Sequence, residues 1–187
     1  MAGNEHPLAN VIHFIGPQQD KSGKPQYFAA IANVEERDTA KANQYLNMDV
    51  VKNNFPTNLK FLYGPEQKDE KSARRYFELY AVKTLPGTDK ARLEGDGVED
   101  ASADYDEHGR PAIKMQMTPT GSRAWAKMTT DNVNRQIGST SDDMVHSAPN
   151  GNGPIVRGKS DVCGNDTEQE GKDVDSGGKE CKVQVPR

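Results

Sequence analysis

The stretch Tyr76-Phe77-Glu78-Leu79-Tyr80-Ala81-Val82 carries the strongest β-strand signal in the chain. Aromatic and aliphatic residues fill most of it, and aromatic and β-branched residues suit the pleated surface of a sheet. The turn residues Pro86-Gly87-Thr88-Asp89 follow after three residues and close the strand. The sequence therefore predicts a strand over 76–82 that ends in a turn.

The residues on the amino-terminal side of this strand predict the elements around it. Two short β-prone runs, 11–15 and 27–32, are separated by turn residues, which favours an antiparallel pair with a long loop. Good N-cap residues precede apolar side chains with helical spacing, so we expect a helix from 39 to about 47. Alternating side chains predict another strand over 59–63, followed by a charged loop over 64–72.

On the carboxyl-terminal side the periodic signals become weaker. Alternation over 112–117 predicts a half-buried strand, and Thr118 or Thr120 is expected to cap a helix after it. The apolar side of that helix is expected to consist of Ala124, Trp125, Met128 and Val133. Residues 155–156 allow a short strand, and 158–187 has no hydrophobic periodicity.

The composition is consistent with this decline. Leu, Ile, Val and Phe make up 31 of the 187 residues, the last Leu is Leu93, and the last aromatic residue is Trp125. Burial of apolar surface, worth ~25 cal/mol per Å², has to offset an ordering cost of ~1–2 kcal/mol per residue. We therefore expect an α+β fold, with a small mixed unit over 1–87 and a weakly ordered tail over 158–187.

Charge and hydropathy exclude several classes of partner. The formal net charge of −4 gives no electrostatic reason to expect nucleic acid or an anionic lipid surface. No apolar run approaches the ~20 residues of a membrane helix. Residues 1–6 lack the basic and apolar segments that are typical of a signal peptide.

The sequence contains no motif typical of catalysis, of a metal site or of a cofactor site. The four His residues are scattered, and Cys163 and Cys181 lie too far apart for a Cys-x-x-Cys pair. Two free thiols are favoured over a disulfide, which an oxidising compartment would allow. Asp104-Tyr105-Asp106 begins a calcium-loop pattern, but His108 and Met115 occupy two of its ligand positions. We therefore expect no enzyme, no metal and no cofactor.

A hydrolase is the alternative from another class of protein. It would need a compact pocket that unites residues such as Asp104, Asp142 and His146. The adjacent pair Asp142-Asp143 favours a turn over a pair of catalytic carboxylates.

Aromatic residues in the first unit are candidates for peptide binding. They are Tyr27, Phe28, Tyr63, Tyr76 and Tyr80. We expect most of them to lie in the core, and any that faces a cleft would suit an unfolded apolar peptide.

Several short motifs lie in the order and at the spacing of a known family. They are Gly95-Asp96-Gly97-Val98-Glu99-Asp100-Ala101, Gly109-Arg110-Pro111-Ala112-Ile113, Thr118-Pro119-Thr120-Gly121, and Trp125-Ala126-Lys127-Met128-Thr129 with Asn132. In this respect the chain resembles the protein-export membrane protein SecD and its fused form SecDF. The first half, with Asn43-Gln44-Tyr45-Leu46-Asn47-Met48, looks like the large variant of that family's first periplasmic domain. Gly138-Ser139-Thr140-Ser141 stands where the family has an apolar strand, so we expect 138–175 to lack a core.

The resemblance implies a division of the chain and a role in protein export. It implies a head subdomain over 1–87, a partial ferredoxin-like base over 88–157 and the weak tail over 158–187. The parent would be a multi-pass membrane protein that assists the Sec channel together with a SecF-type partner. This part would lie on the periplasmic side of the bacterial inner membrane. It would hold the emerging unfolded preprotein and move as a lever, without catalysis.

The connection after the first unit is the hinge that such a lever would use. Its residues are Leu85, Pro86, Gly87 and Thr88, and Gly permits the backbone rotation that a hinge needs. An ordinary turn at the end of a strand is the alternative interpretation. At the level of function, the corresponding alternative is a structural domain that does not bind peptides.

Overall fold

The computed structural model describes residues 7–19, 23, 25–69, 73–88, 90–105, 111–156, 158–163 and 182–186. In chain order the elements are β1 (His13–Phe14), β2 (Gln18–Gln19), β3 (Pro25–Gln26), β4 (Ala30–Glu35), α1 (Thr39–Leu46), α2 (Asp49–Lys52), β5 (Leu59–Lys68), β6 (Arg75–Lys83), β7 (Val98–Tyr105), β8 (Pro111–Met117), α3 (Pro119–Asp131), β9 (Gly138–Ser141), β10 (Met144–Ser147), β11 (Lys159–Cys163) and β12 (Lys182–Pro186). Short 3-10 helices lie at Pro7–Asn10, Glu36–Asp38 and Gly95–Gly97. The α+β class is confirmed.

Strand β6 lies at the centre of the larger sheet. Along one edge it pairs with β5, and along the other it pairs with β4 and then with β12, always antiparallel. Leu79 and Val82 lie on opposite faces of the strand and are 1% and 0% exposed. A strand that is buried on both faces needs a nearly continuous apolar run, and 76–82 supplies it. The predicted strand is confirmed.

The larger sheet closes on itself through five strands. Strand β5 pairs in parallel with β10, β10 forms an antiparallel hairpin with β9, and β9 pairs with β12, which returns to β6. We call these five strands (β5, β6, β9, β10 and β12) the β-ring. A buried cluster joins it to β4 and consists of Ala30, Leu62, Tyr80, Val82 and Val145.

Helix α1 packs with β4 and β6 in a second buried cluster. Ala42 and Leu46 of the helix contact a group that includes Val34 and Leu79. Apolar residues at positions 42 and 46 lie one turn apart on the same face of a helix, which is why this short helix can bury both. The predicted helix is confirmed, and so is the antiparallel pairing between the first two β-prone runs, in which His13 lies opposite Asn33.

The second unit consists of the three-stranded sheet β7-β8-β11 and helix α3. Its buried cluster consists of Leu93, Met115, Met117, Trp125, Met128 and Ile137. The Thr118 hydroxyl accepts a hydrogen bond of 3.1 Å from the amide of Gly121, so Thr118 is the N-cap of α3. The strand and the capped helix predicted here are confirmed, although Val133 is 37% exposed and does not belong to the buried cluster.

The first turn of α3 lies directly on the 3-10 helix Gly95–Gly97. The amide of Thr118 donates to the Gly97 carbonyl oxygen at 3.0 Å. A Cβ atom at Gly121 would overlap that same oxygen, so only Gly permits this approach. Two of the motifs that carry the family resemblance therefore meet in one backbone contact.

The predicted charged loop over 64–72 is wrong for its first half. Strand β5 continues to Lys68, and its last residues pair with β6 from Arg75 to Phe77. In this ribbon Glu66, Lys68 and Arg75 are exposed, whereas Gln67 and Tyr76 are half-buried. Main-chain hydrogen bonds maintain such pairing without a hydrophobic pattern.

The expectation that the chain lacks a core from 138 onward is also wrong for β9 and β10. Thr140 and Val145 are 2% and 0% exposed in these strands. Strand β9 is flanked on both edges, by β10 and by β12. Its backbone groups are therefore paired although its sequence is polar.

The remaining differences concern short strands. Residues 155–156, where the sequence allows a strand, form none. Strands β11 and β12 lie within the range predicted as a weakly ordered tail, and 164–181 lies outside the described residues.

None of the helices in the described part of the chain has the length and apolar character needed to cross a membrane.

Candidate peptide-binding groove

A groove of about 700 Å³ lies beside the segment that leads into β4 and the loop that follows α3. Its lining residues are Ile15, Pro17, Tyr27, Phe28, Ala30, Ile31, Lys83, Arg92, Asp131, Asn132, Asn134, Arg135 and Gln136. They come from both units of the described structure. The groove is therefore a place where the two units present side chains to one ligand.

Hydrogen bonds hold both walls of the groove in place. The amide of Ile15 donates to the Ile31 carbonyl at 2.9 Å, which fixes the strand side. On the other side the amide of Arg135 donates to the Asn132 carbonyl at 3.0 Å. The side-chain amide of Gln136 donates to the Tyr27 carbonyl at 3.1 Å and so links the two walls.

Two of the five aromatic candidates lie exposed at this groove. The side chain of Tyr27 is 69% exposed and that of Phe28 is 40% exposed. Isolated exposed apolar residues are common on protein surfaces, but adjacent aromatic residues in a concave site are typical of peptide recognition. These two residues give the groove its apolar surface.

Three cationic side chains also line the groove. They are Lys83 of β6, Arg92 in the segment before β7 and Arg135 in the loop after α3. Asp131 supplies the single carboxylate among the lining residues. Its Oδ2 atom lies 3.0 Å from the Nζ atom of Lys127 on the same helix. The charge that faces a ligand is therefore predominantly positive, although the whole chain is slightly acidic.

The other three aromatic candidates lie away from the groove. Tyr80 is buried in the β-ring cluster, and Tyr76 is half-buried on β6. The hydroxyl of Tyr63 donates to the Asn43 Oδ1 atom at 3.0 Å, and its ring packs edge-on against Phe77. Burial raises the pKa of the Tyr63 phenol, because burial disfavours the charged form. The neutral Tyr63 phenol therefore contributes to the stability of the fold at pH values below its ordinary pKa near 10. This contribution is lost as the pH rises through the raised pKa of the folded protein.

The candidate hinge forms a closed turn. The amide of Leu85 donates to the Lys90 carbonyl at 3.0 Å, and the amide of Thr88 donates to the Leu85 carbonyl at 3.1 Å. Gly87 has a φ of +77°, and a Cβ at this position would meet open space. The exposed turn and the left-handed glycine are the features that both a hinge and an ordinary turn would have.

The residues named for a hydrolase lie in different parts of the fold. Asp142 and Asp143 both have positive φ and form the turn between β9 and β10, as the sequence predicts, whereas Asp104 lies in β7. The His146 Nε2 atom lies 2.7 Å from the Ser141 hydroxyl across the same hairpin. Within the described residues no group of three His, Cys, Asp or Glu side chains is placed to hold a metal ion.

Several candidate residues fall outside the described part of the chain. They are His6, Asp106, His108 and Cys181. The pairing of Cys163 with Cys181 therefore stays a prediction.

Sequence reasoning identified the aromatic side of the groove but missed its cations. Lys83, Arg92 and Arg135 lie far apart in the sequence, and no local pattern connects them. Only the folded arrangement of β6 and the loop after α3 brings them to one site. The same loop supplies three further lining residues, Asn132, Asn134 and Gln136.

Comparison with known families identifies the chain. The model of the family described as SecDF, P1 head subdomain, matches residues 72–176. More than half of the chain is matched, and the four motifs between Gly95 and Asn132 that carry the resemblance lie within this range. The chain belongs to the SecD/SecDF family.

Individual relatives agree with this assignment. The chain is 32% identical over 139 residues to the protein translocase subunit SecD of Rhodothermus marinus, covering 73% of this chain and 21% of that protein. It is 26% identical over 180 residues to the SecD subunit of Calditerrivibrio nitroreducens, covering 92% of this chain and 32% of that protein. The chain thus spans about a fifth to a third of the length of these relatives.

A solved structure of the membrane component SecDF, described as enhancing protein export, is also similar. It has a TM-score of 0.41 and 17% identity, and the match covers 90% of this chain and 81% of that one. The family match begins at 72 and ends at 176, and so crosses the predicted boundary at 87. The division into 1–87, 88–157 and 158–187 stays a prediction.

Proposed function

We propose that this chain is the part of a Sec accessory subunit that holds an unfolded preprotein as it emerges from the channel. The observation that carries this proposal is the pair of exposed aromatic side chains, Tyr27 and Phe28, at a groove of about 700 Å³. An extended segment offers alternating side chains that aromatic surfaces contact without sequence specificity. The groove has room for a short segment of this kind.

The proposal also includes the setting of this role, which membership of the family supports. The parent subunit works at the periplasmic side of the bacterial inner membrane, with the Sec channel and a SecF-type partner contacting its membrane part. In this proposal the parent subunit uses the proton gradient through its membrane part, and this chain contributes binding and leverage. It has no catalytic function in this proposal.

Peptide binding is tested with an unfolded secretory polypeptide and a double variant, Tyr27→Ala with Phe28→Ala. Loss of the two rings should weaken binding at least about tenfold, since aromatic residues carry much of the energy at such sites. Phe14→Ala is the matched control, because Phe14 is 67% exposed and is absent from the groove lining. Equal binding by all three proteins would contradict the proposal and favour a structural domain without peptide binding.

The lever role places the moving joint at Leu85, Pro86, Gly87 and Thr88. Gly87→Pro in the full-length parent should reduce export, because Pro fixes φ near −65° and Gly87 has a φ of +77°. Gly23→Pro is the matched control, since Gly23 also has a positive φ (+79°) with open space around it. Unchanged export in Gly87→Pro, with the protein folded by circular dichroism, would overturn the lever.

A further inference from the structure

The groove carries three cations and an aromatic pair, and this combination points to a particular class of ligand. Arg92 and Arg135 are exposed, and Lys83 is half-buried. The ion pairs found among the described residues involve other cations, namely Arg37, Lys60, Arg74, Arg75 and Lys127. The cations of the groove are therefore available to a ligand.

We propose that the groove selects extended segments in which a carboxylate lies next to an apolar or aromatic residue. This inference rests on the proposed function and defines the substrate class of the same site. The ring surfaces of Tyr27 and Phe28 would take the apolar side chain. Arg92 and Arg135 would take the carboxylate, because guanidinium groups match carboxylates with two parallel hydrogen bonds.

The acidic residue in the lining does not cancel this preference. Asp131 is paired with Lys127 at 3.0 Å, and even a free Asp131 would leave the three cations of the lining in excess. A positively charged segment would meet three cations and a single carboxylate, which already has a partner. The groove therefore discriminates against basic segments as well as favouring acidic ones.

The size of the preference follows from the exposure of the cations. An exposed ion pair is worth a factor of about 1.5 to 5 in affinity, and two such pairs give roughly 2- to 25-fold. Because exposed charges are screened over about 8 Å at physiological ionic strength, the preference should shrink at high salt. The contribution of the aromatic pair should remain.

The test uses three fluorescent peptides of equal length that share the same aromatic residues and differ only in carrying Glu, Gln or Lys beside them. Fluorescence anisotropy should give the affinity order Glu, Gln, Lys, with about 2- to 25-fold between the Glu and Gln peptides. The double variant Arg92→Gln with Arg135→Gln should remove this difference. Arg123→Gln is the control, because Arg123 is an exposed cation of α3 that is absent from the groove lining.

The outcomes separate this inference from the proposed function. If the three peptides bind equally and Tyr27→Ala with Phe28→Ala weakens all of them, the preprotein role stands and the selectivity is overturned. If no peptide binds the folded protein, both are overturned. If vesicles containing anionic phospholipid bind in an arginine-dependent way and the Glu peptide does not compete, a membrane surface is the ligand and the inference is again overturned.

Discussion

Strands β6 and β9 belong to the same β-ring and have opposite kinds of sequence. Strand β6 is filled with large apolar and aromatic residues, whereas β9 is Gly138-Ser139-Thr140-Ser141. Both contain nearly inaccessible residues, with Val82 at 0% and Thr140 at 2% exposure. The difference teaches that β6 is specified by its side chains and β9 by the pairing of its backbone with two neighbours.

The largest effect that we expect from this contrast is at β6. Leu79→Ala should lower the free energy of unfolding by about 3 to 4 kcal/mol, because Leu79 is 1% exposed and its loss leaves a cavity between β6 and α1. Urea denaturation measures this change in the free energy of unfolding. A loss below about 1 kcal/mol would mean that β6 is not held by side-chain packing.

The second-largest effect on stability is expected at Gly121, where the first turn of α3 touches the 3-10 helix Gly95–Gly97. Gly121→Ala should cost about 2 to 3 kcal/mol, because the added Cβ overlaps the carbonyl oxygen of Gly97. Thr120→Ala is the control in the same helical turn, since Thr120 is exposed. Equal stabilities of the two variants in thermal denaturation would contradict the close contact between Gly121 and the Gly97 carbonyl oxygen.

Strand β9 itself should tolerate side-chain changes and still be protected from exchange. Ser139→Ala removes the 2.9 Å hydrogen bond between the Ser139 and Ser147 hydroxyls and should cost about 1 kcal/mol. Hydrogen exchange should nevertheless show protected amides at 138–141, because β10 and β12 flank the strand. Rapid exchange of these amides, alongside slow exchange in β6, would show that the β-ring is open at β9.

The smallest effect concerns the turn that joins β9 to β10. Asp142 has a φ of +48° and Asp143 a φ of +61°, values that Gly adopts at lower cost. Asp142→Gly should therefore raise the free energy of unfolding by about 0.5 kcal/mol. Asp143→Gly should gain less, because it loses the 2.6 Å contact with Lys60. A destabilised Asp142→Gly, measured by its melting temperature, would contradict this turn geometry.

The same contrast explains how much of the fold could be predicted from the sequence. Elements with a side-chain pattern, such as 76–82 and the helix capped by Thr118, could be predicted because burial selects the residue types directly. The end of β5 and the hairpin of β9 and β10 could not, because main-chain pairing leaves no periodic pattern. The family resemblance worked against β9, since polar residues at a position where the family has an apolar strand led us to expect no core there.

The candidate site also has a part that could be predicted from the sequence, its aromatic residues, and a part that could not, its cations. Tyr27 and Phe28 could be named from the sequence only as two of five aromatic candidates, most of which were expected to lie in the core. These two face solvent in the segment before β4, whereas Tyr80 is buried within β6, where it lies opposite Ala30. The cations could not be predicted, because Lys83, Arg92 and Arg135 come together only in the folded chain.

The most direct test of the central claim is an amide NMR titration of this chain with an unfolded secretory polypeptide. The account predicts saturable shifts that cluster at 27–31 and 131–136, the two walls of the groove, with little change at the amides of β9. A dispersed spectrum that does not respond, or shifts confined to residues outside these two walls, would contradict it.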